Sequence, residues 1–431
     1  MPAIQWDKVQ QRFTICVVFL FFGLWLGREN PAWDDLKPNM DRLTARYVFN
    51  FTSWELEALV EKALFGLLAP QRFMDEEQQS RFVLAYLDDV SETQQLANEI
   101  DRTFTDPEIA DPQAASQEQQ TALAQLRDNM TRSTHVAEAI LGEQVSTILN
   151  EGGFGPLQQI LPPVSGTFTP LPYLLILSRR NHIETIYQQQ LIAGLTAAEQ
   201  EALEQQTVER FPSYSAYITG IGGLAVYPAM LLESTSIDWI ADVVAHEWTH
   251  HYLLFHPLGL YYSSSGETRA INETSASLIG EWAGQEVILR FYDPLLERQK
   301  GLPNPLRQPP ATTSDPPPAP EFDFRAEMYH TRVIVDQLLA ENKIKDAEWY
   351  MEARRRVFVA RGYRLRKLNQ AYFAFHGAYA ASPGGAAGAD PIGPAVRRLW
   401  AISATPHDFI RTIAPHTTLA EVTALAPETT P

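Results

Sequence analysis

Five residues restrict this chain more than any others. His246-Glu247-Trp248-Thr249-His250 form the pattern HExxH, which has a chemical meaning only on an α-helix. There the two histidines, four residues apart, leave one face and can share one ion. Glu247 is rotated from His246 by about 100°, so it reaches a water on that ion rather than the ion itself. The flanking sequence supplies the helix. Ser236 reads as its N-cap and Asp238 as a first-turn acid. Ile237, Ile240, Val243, Val244 and Trp248 give it apolar faces. Three ionisable groups buried in such a helix would be costly without a metal. Cys16 is the chain's one cysteine. An internal disulfide and a cysteine zinc cluster are therefore excluded, and any metal takes His, Asp or Glu.

A catalytic zinc has three protein ligands and an open position. The spacing alone leaves the third ligand open. His256 stands at the last position of the metzincin pattern HExxHxxGxxH, but Leu253 occupies its glycine, and a helix continuing to Phe255 turns His256 away. The alternatives lie on the next helical stretch: Glu267, Glu273 and Glu281. Here the run Arg269-Ala-Ile-Asn272-Glu273-Thr-Ser-Ala-Ser277-Leu-Ile-Gly280 is informative. A zinc-motif helix, a short connection and a second helix with Asn-Glu resemble the gluzincin metallopeptidases in their thermolysin-like form. The resemblance covers residues 236–285. It implies His246, His250 and Glu273 as ligands of one zinc per chain, Glu247 as the base that activates water, and a peptide or protein substrate. Two features depart from it: 22 residues separate His250 from Glu273, and Ser277 stands where a carboxylate usually supports a ligand histidine. The family also implies a His or Tyr from the later helical region that stabilises the oxyanion. Tyr329 and His330 are the first choice, and Tyr372, His376 and Tyr379 the second.

The rest of the chain reads as α+β, mostly helical. Residues 1–29 hold fifteen uncharged positions, 13–27, after Lys8 and Arg12, with no small-residue cleavage site. They are expected to be a signal anchor that places the remainder outside the cytoplasm. Residues 30–160 form an acidic helical region: 71–150 carry 15 Asp/Glu against 5 Lys/Arg. Residues 161–300 form the zinc-binding catalytic region. Apolar runs at 171–177, 215–221 and 223–232 make a small antiparallel sheet there. The last contains Pro228 and is expected as an edge strand, packed on the HExxH helix and available to a substrate backbone. Residues 301–322 are a proline-rich linker, and 323–431 a helical C-terminal lobe. Within that lobe, residues 351–411 carry ten Lys/Arg and three acids, read as a solvated face. The net charge of −18 excludes nucleic acid as a partner. Two other functional classes fit the same residues: a zinc hydrolase of a non-peptide amide, and a scaffold protein with a weakly active site.

Overall fold

The computed structural model describes residues 36–105, 109, 111–155, 159–293, 295, 322–379 and 385–427. The expected anchor and most of the proline-rich linker lie outside the described residues. Among the described residues no helix is long and apolar enough to cross a membrane. The chain is α+β and mostly helical.

Four helices come first: α1 (Leu36–Thr44), α2 (Phe51–Leu68), α3 (Glu76–Thr105) and α4 (Gln117–Glu151). Between the last two lies a single turn, Pro112–Ala115, capped by the Asp111 side chain. α3 and α4 bury Val83, Val90, Ile140, Leu141 and Leu149 in the main core.

Six short strands follow: β1 (Gly166–Phe168), β2 (Tyr173–Arg179), β3 (Thr185–Leu191), β4 (Tyr214–Thr219), β5 (Gly223–Leu224) and β6 (Ala229–Leu231). They make two three-stranded sheets rather than one. The order β3-β2-β4 is antiparallel throughout, and the second sheet runs β1-β6-β5. The second is mixed, because β1 pairs parallel with β6; this corrects the expected antiparallel sheet. The run 223–232 is not one strand either. It bends at Val226-Tyr227-Pro228 into β5 and β6, and β5 is the edge. In the first sheet β2 alternates between two cores, as strand pleating requires. Leu174 and Ile176 face one core, Leu175 and Leu177 the other. A strand buried on both faces reads as an unbroken apolar run.

Helix α5 (Ala197–Arg210) lies between β3 and β4 and starts with a capping box of Thr196 and Glu199. The motif helix α6 (Ile237–Leu253) and the next helix α7 (Gly266–Val287) then pack side by side. Six helices complete the described chain: α8 (Phe324–Ala340), α9 (Ile344–Ala360), α10 (Gln370–His376), α11 (Ile392–Ile402), α12 (Pro406–Ile413) and α13 (Leu419–Leu425). α6 and α7 sit inside the main core with α3, α4, α11 and α12 around them. The basic stretch after Met351 is largely paired with acids: Arg354 with Glu327, Arg355 with Glu352, Arg366 and Lys367 with Glu201 and Glu204.

Candidate metal centre

The centre begins with how closely α6 and α7 approach. Gly280 and Gly284 lie one turn apart on α7 and face α6. A Cβ at Gly280 would sit 2.8 Å from the Asp242 carbonyl oxygen and 3.2 Å from His246 Cβ. A Cβ at Gly284 would sit 3.0 Å from the Asp242 nitrogen. Any larger residue at either position would force the helices apart. On the other side α6 is pinned by Trp248, 1% exposed, whose Nε1 donates to the Pro162 carbonyl at 2.8 Å. Phe154 meets its ring edge-on.

This approach brings His246, His250 and Glu273 together, with one donor atom of each inside 4.8 Å. The two Nε2 atoms are 3.1 Å apart. Glu273 Oε2 lies 3.4 Å from His246 Nε2 and 3.5 Å from His250 Nε2. Both imidazole side chains keep 14% exposure, so the cluster is open on one side.

Each ring is oriented from behind. Asn272 Nδ2 donates to the Leu258 carbonyl at 3.1 Å, and its Oδ1 faces His250 Nδ1 at 2.7 Å. His250 therefore carries its proton on Nδ1 when neutral, and its Nε2 lone pair points into the cluster. Ser277 Oγ is 3.5 Å from His246 Nδ1, the outer limit of a hydrogen bond. The Tyr262 hydroxyl donates to Glu273 Oε1. Glu273 Oε2 is buried and accepts no hydrogen bond.

Electrostatics follow from burial and proximity. Burial alone would lower the His250 pKa, but Glu273 beside it outweighs this and lifts it to about 9. Glu273 is held well below the ordinary carboxylate range: burial opposes this, and the two histidines override it. Glu247 is 6% exposed. Burial raises its pKa, with the histidines opposing and Glu273 reinforcing. Its carboxylate lies under β5, where a Cβ on Gly223 would meet Glu247 Oε1 at 2.3 Å and Val243 Cγ1 at 2.8 Å. The expected edge strand thus packs on the HExxH helix.

The later part of the chain contributes one aromatic ring to the cluster, that of Tyr379, three residues past the end of α10. It stacks on His246 with ring centroids 6.3 Å apart. Tyr379 as a whole is 41% exposed, but its hydroxyl is desolvated. That desolvation, then the charges of Glu273 and Glu247, push its pKa well above the ordinary value, so it is a donor at neutral pH. Tyr329 and His330 lie on α8 and meet each other edge-on at 5.6 Å. Among the described residues neither hydrogen-bonds nor stacks with any member of the cluster. Tyr372 and His376 pack with Tyr217 in the core beside the first sheet.

The alternative ligands go elsewhere. His256 precedes the turn Pro257–Leu260 and stacks on Tyr252 at 5.2 Å. Glu267 accepts the Leu419 N–H. Glu281 lies two helical turns beyond Glu273, among the charges of Arg325 and Arg397. Tyr262 was missed by sequence reasoning; its place in the connection between the two helices was the available signal. No family model, curated protein or solved structure matches this chain.

Proposed function

We propose that this protein is a zinc-dependent peptidase in which His246, His250 and Glu273 hold the metal and Glu247 is the general base. One observation carries the reading. Two imidazole Nε2 atoms converge on Glu273 Oε2, a buried oxygen without a hydrogen bond. Such an oxygen is costly unless a cation takes it up. Two nitrogens and a carboxylate oxygen suit zinc. When bound there, zinc would supply Lewis acidity, polarising a carbonyl oxygen and acidifying water.

The chain's own residues do the rest. Glu247, its proton affinity raised by burial, accepts a proton from the attacking water and passes it to the leaving amine. Its rotation by about 100° from His246 keeps it beside the ligand set rather than within it. The Tyr379 hydroxyl, protonated and without a protein hydrogen bond among the described residues, donates to the oxyanion that develops on the substrate. Asn272 and Ser277 orient the imidazoles, and Tyr262 orients Glu273. The free edge of β5 offers backbone groups to an extended peptide, and this favours a peptide over a small amide.

Elemental analysis of the purified chain tests the metal, and Glu247→Gln tests the chemistry. The expected result is one zinc per chain in both proteins, lost in Glu273→Ala, with hydrolysis of a casein-derived peptide mixture reduced by about 10²–10⁴ in Glu247→Gln. Undiminished hydrolysis in Glu247→Gln refutes the mechanism, and zinc retained in Glu273→Ala refutes the ligand set.

A further inference from the structure

Helix α7 carries a second charge for which the peptidase reading has no task. Arg269 precedes Glu273 by four residues, so the two side chains leave one face, about 6 Å apart along the axis. Arg269 is 8% exposed. Its guanidinium donates from Nη1 to Gln188 Oε1 at 3.0 Å and from Nη2 to Thr185 Oγ1 at 2.6 Å, both on β3. Both partners are neutral. Arg180, Arg332, Arg354 and Arg366 each meet a carboxylate; among the described residues Arg269 meets none. A buried cation without a counter-charge is costly. A guanidinium has five N–H donors, so two bonds leave the others uncommitted.

The charge also lies close enough to the cluster to be felt there. It acts on both phenols that border the cluster, Tyr262 and Tyr379, opposing the rise of their pKa values. Tyr262 holds a proposed ligand, and Tyr379 stacks on another. Gln188 and Thr185 on β3 hold the guanidinium.

We infer that Arg269 is the receptor for a carboxylate on the substrate, and that this carboxylate is the free C terminus of a peptide. The inference rests on the peptidase reading and makes it an exopeptidase. An extended chain advances about 3.3–3.6 Å per residue, so the 6 Å offset places the carboxylate one or two residues beyond the bond that is cut. The planar guanidinium fork suits a two-point contact with a carboxylate. An acidic side chain offers the same group. The free terminus is favoured because every peptide carries one, at a fixed distance from its last peptide bond, whereas an acidic side chain is present in only some sequences.

Binding tests this apart from turnover. The protein is the full-length, zinc-loaded Glu247→Gln chain, and calorimetry compares three probes: N-acetyl-trialanine, its C-terminal amide, and N-acetyl-Ala-Asp-Ala amide. The free acid is expected to bind at least about tenfold tighter than either amide, as a charge-assisted pair implies. Adding Arg269→Met should erase that preference at unchanged zinc content. Arg269→Lys should shrink it, and decides the matter if the methionine variant does not fold. The proposal falls if acid and amide bind alike, if the free acid does not bind, or if the preference survives in the Arg269 variants. Equal binding of the Asp-containing amide and the free acid would reassign Arg269 to acidic side chains and overturn the C-terminal reading. A wild-type zinc protein that cleaves neither trialanine probe counts against the peptidase reading, while the binding comparison still decides Arg269.

Discussion

Replacing Gly223 with alanine isolates the placement of the base from the presence of the metal. Gly223 lies on β5, directly over Glu247. The new Cβ would stand 2.3 Å from Glu247 Oε1, whereas ordinary contact begins at 3.4 Å, so the carboxylate must retreat by about 1.1 Å. Val243 Cγ1, one turn earlier on the same face of α6, would also be 2.8 Å from that Cβ. A misplacement of about 1 Å at a catalytic group costs on the order of 10²-fold in rate. The ligands are untouched: no atom of His246, His250 or Glu273 is among the three nearest to that Cβ. Gly223→Ala should therefore keep its zinc and its fold and lose about 10²-fold in kcat/KM. Peptide hydrolysis, metal analysis and thermal unfolding of the same preparation measure the three. Full activity with zinc present would show that Glu247 does not need its observed position, and the mechanism built on it would fail. Loss of zinc would show that β5 supports the ligands rather than the base.

Three further outcomes are expected. Tyr379→Phe should lower kcat by about 10²–10³, the loss seen when one oxyanion donor is removed, with zinc content unchanged, while Tyr329→Phe stays near wild type; the reverse order would return the role to α8. Zinc uptake must displace the proton that Glu273 helps His250 to hold up to about pH 9. Apparent affinity should therefore rise roughly tenfold per pH unit between pH 6 and 8, and a flat profile in chelator competition would contradict the protonated pair. Residues 1–29 should retain the chain at a membrane with the catalytic part outside the cytoplasm. A full-length chain in the soluble cytosolic fraction, protected from protease added to intact spheroplasts, would overturn that assignment.

Some of this protein is written locally. The HExxH helix was legible because its spacing serves chemistry only at 3.6 residues per turn, and Asn272-Glu273 was legible on the next helix through its resemblance to a known arrangement. β2 was legible because both its faces are buried, which leaves an apolar run. β3 was not. Its sequence Thr-Ile-Tyr-Gln-Gln-Gln-Leu has no clear alternation, and it is a strand because β2 offers it a hydrogen-bonding edge. α5 is polar on most of its surface, and the Thr196/Glu199 capping box was its one local mark. Tertiary structure alone decided which aromatic reaches the cluster. Tyr329 and Tyr379 both sit in stretches with a helical pattern, but Tyr329 falls on α8 while Tyr379 lies three residues past the end of α10, where the chain carries it beside His246. The same holds for Gly280 and Gly284. In sequence they are two weak points in a helix, and in the fold they are the clearance that lets Glu273 meet two histidines on another helix. Periodicity and motif are properties of neighbours along the chain. Contact between α6, α7 and β5 is a property of packing, and no local pattern encodes it.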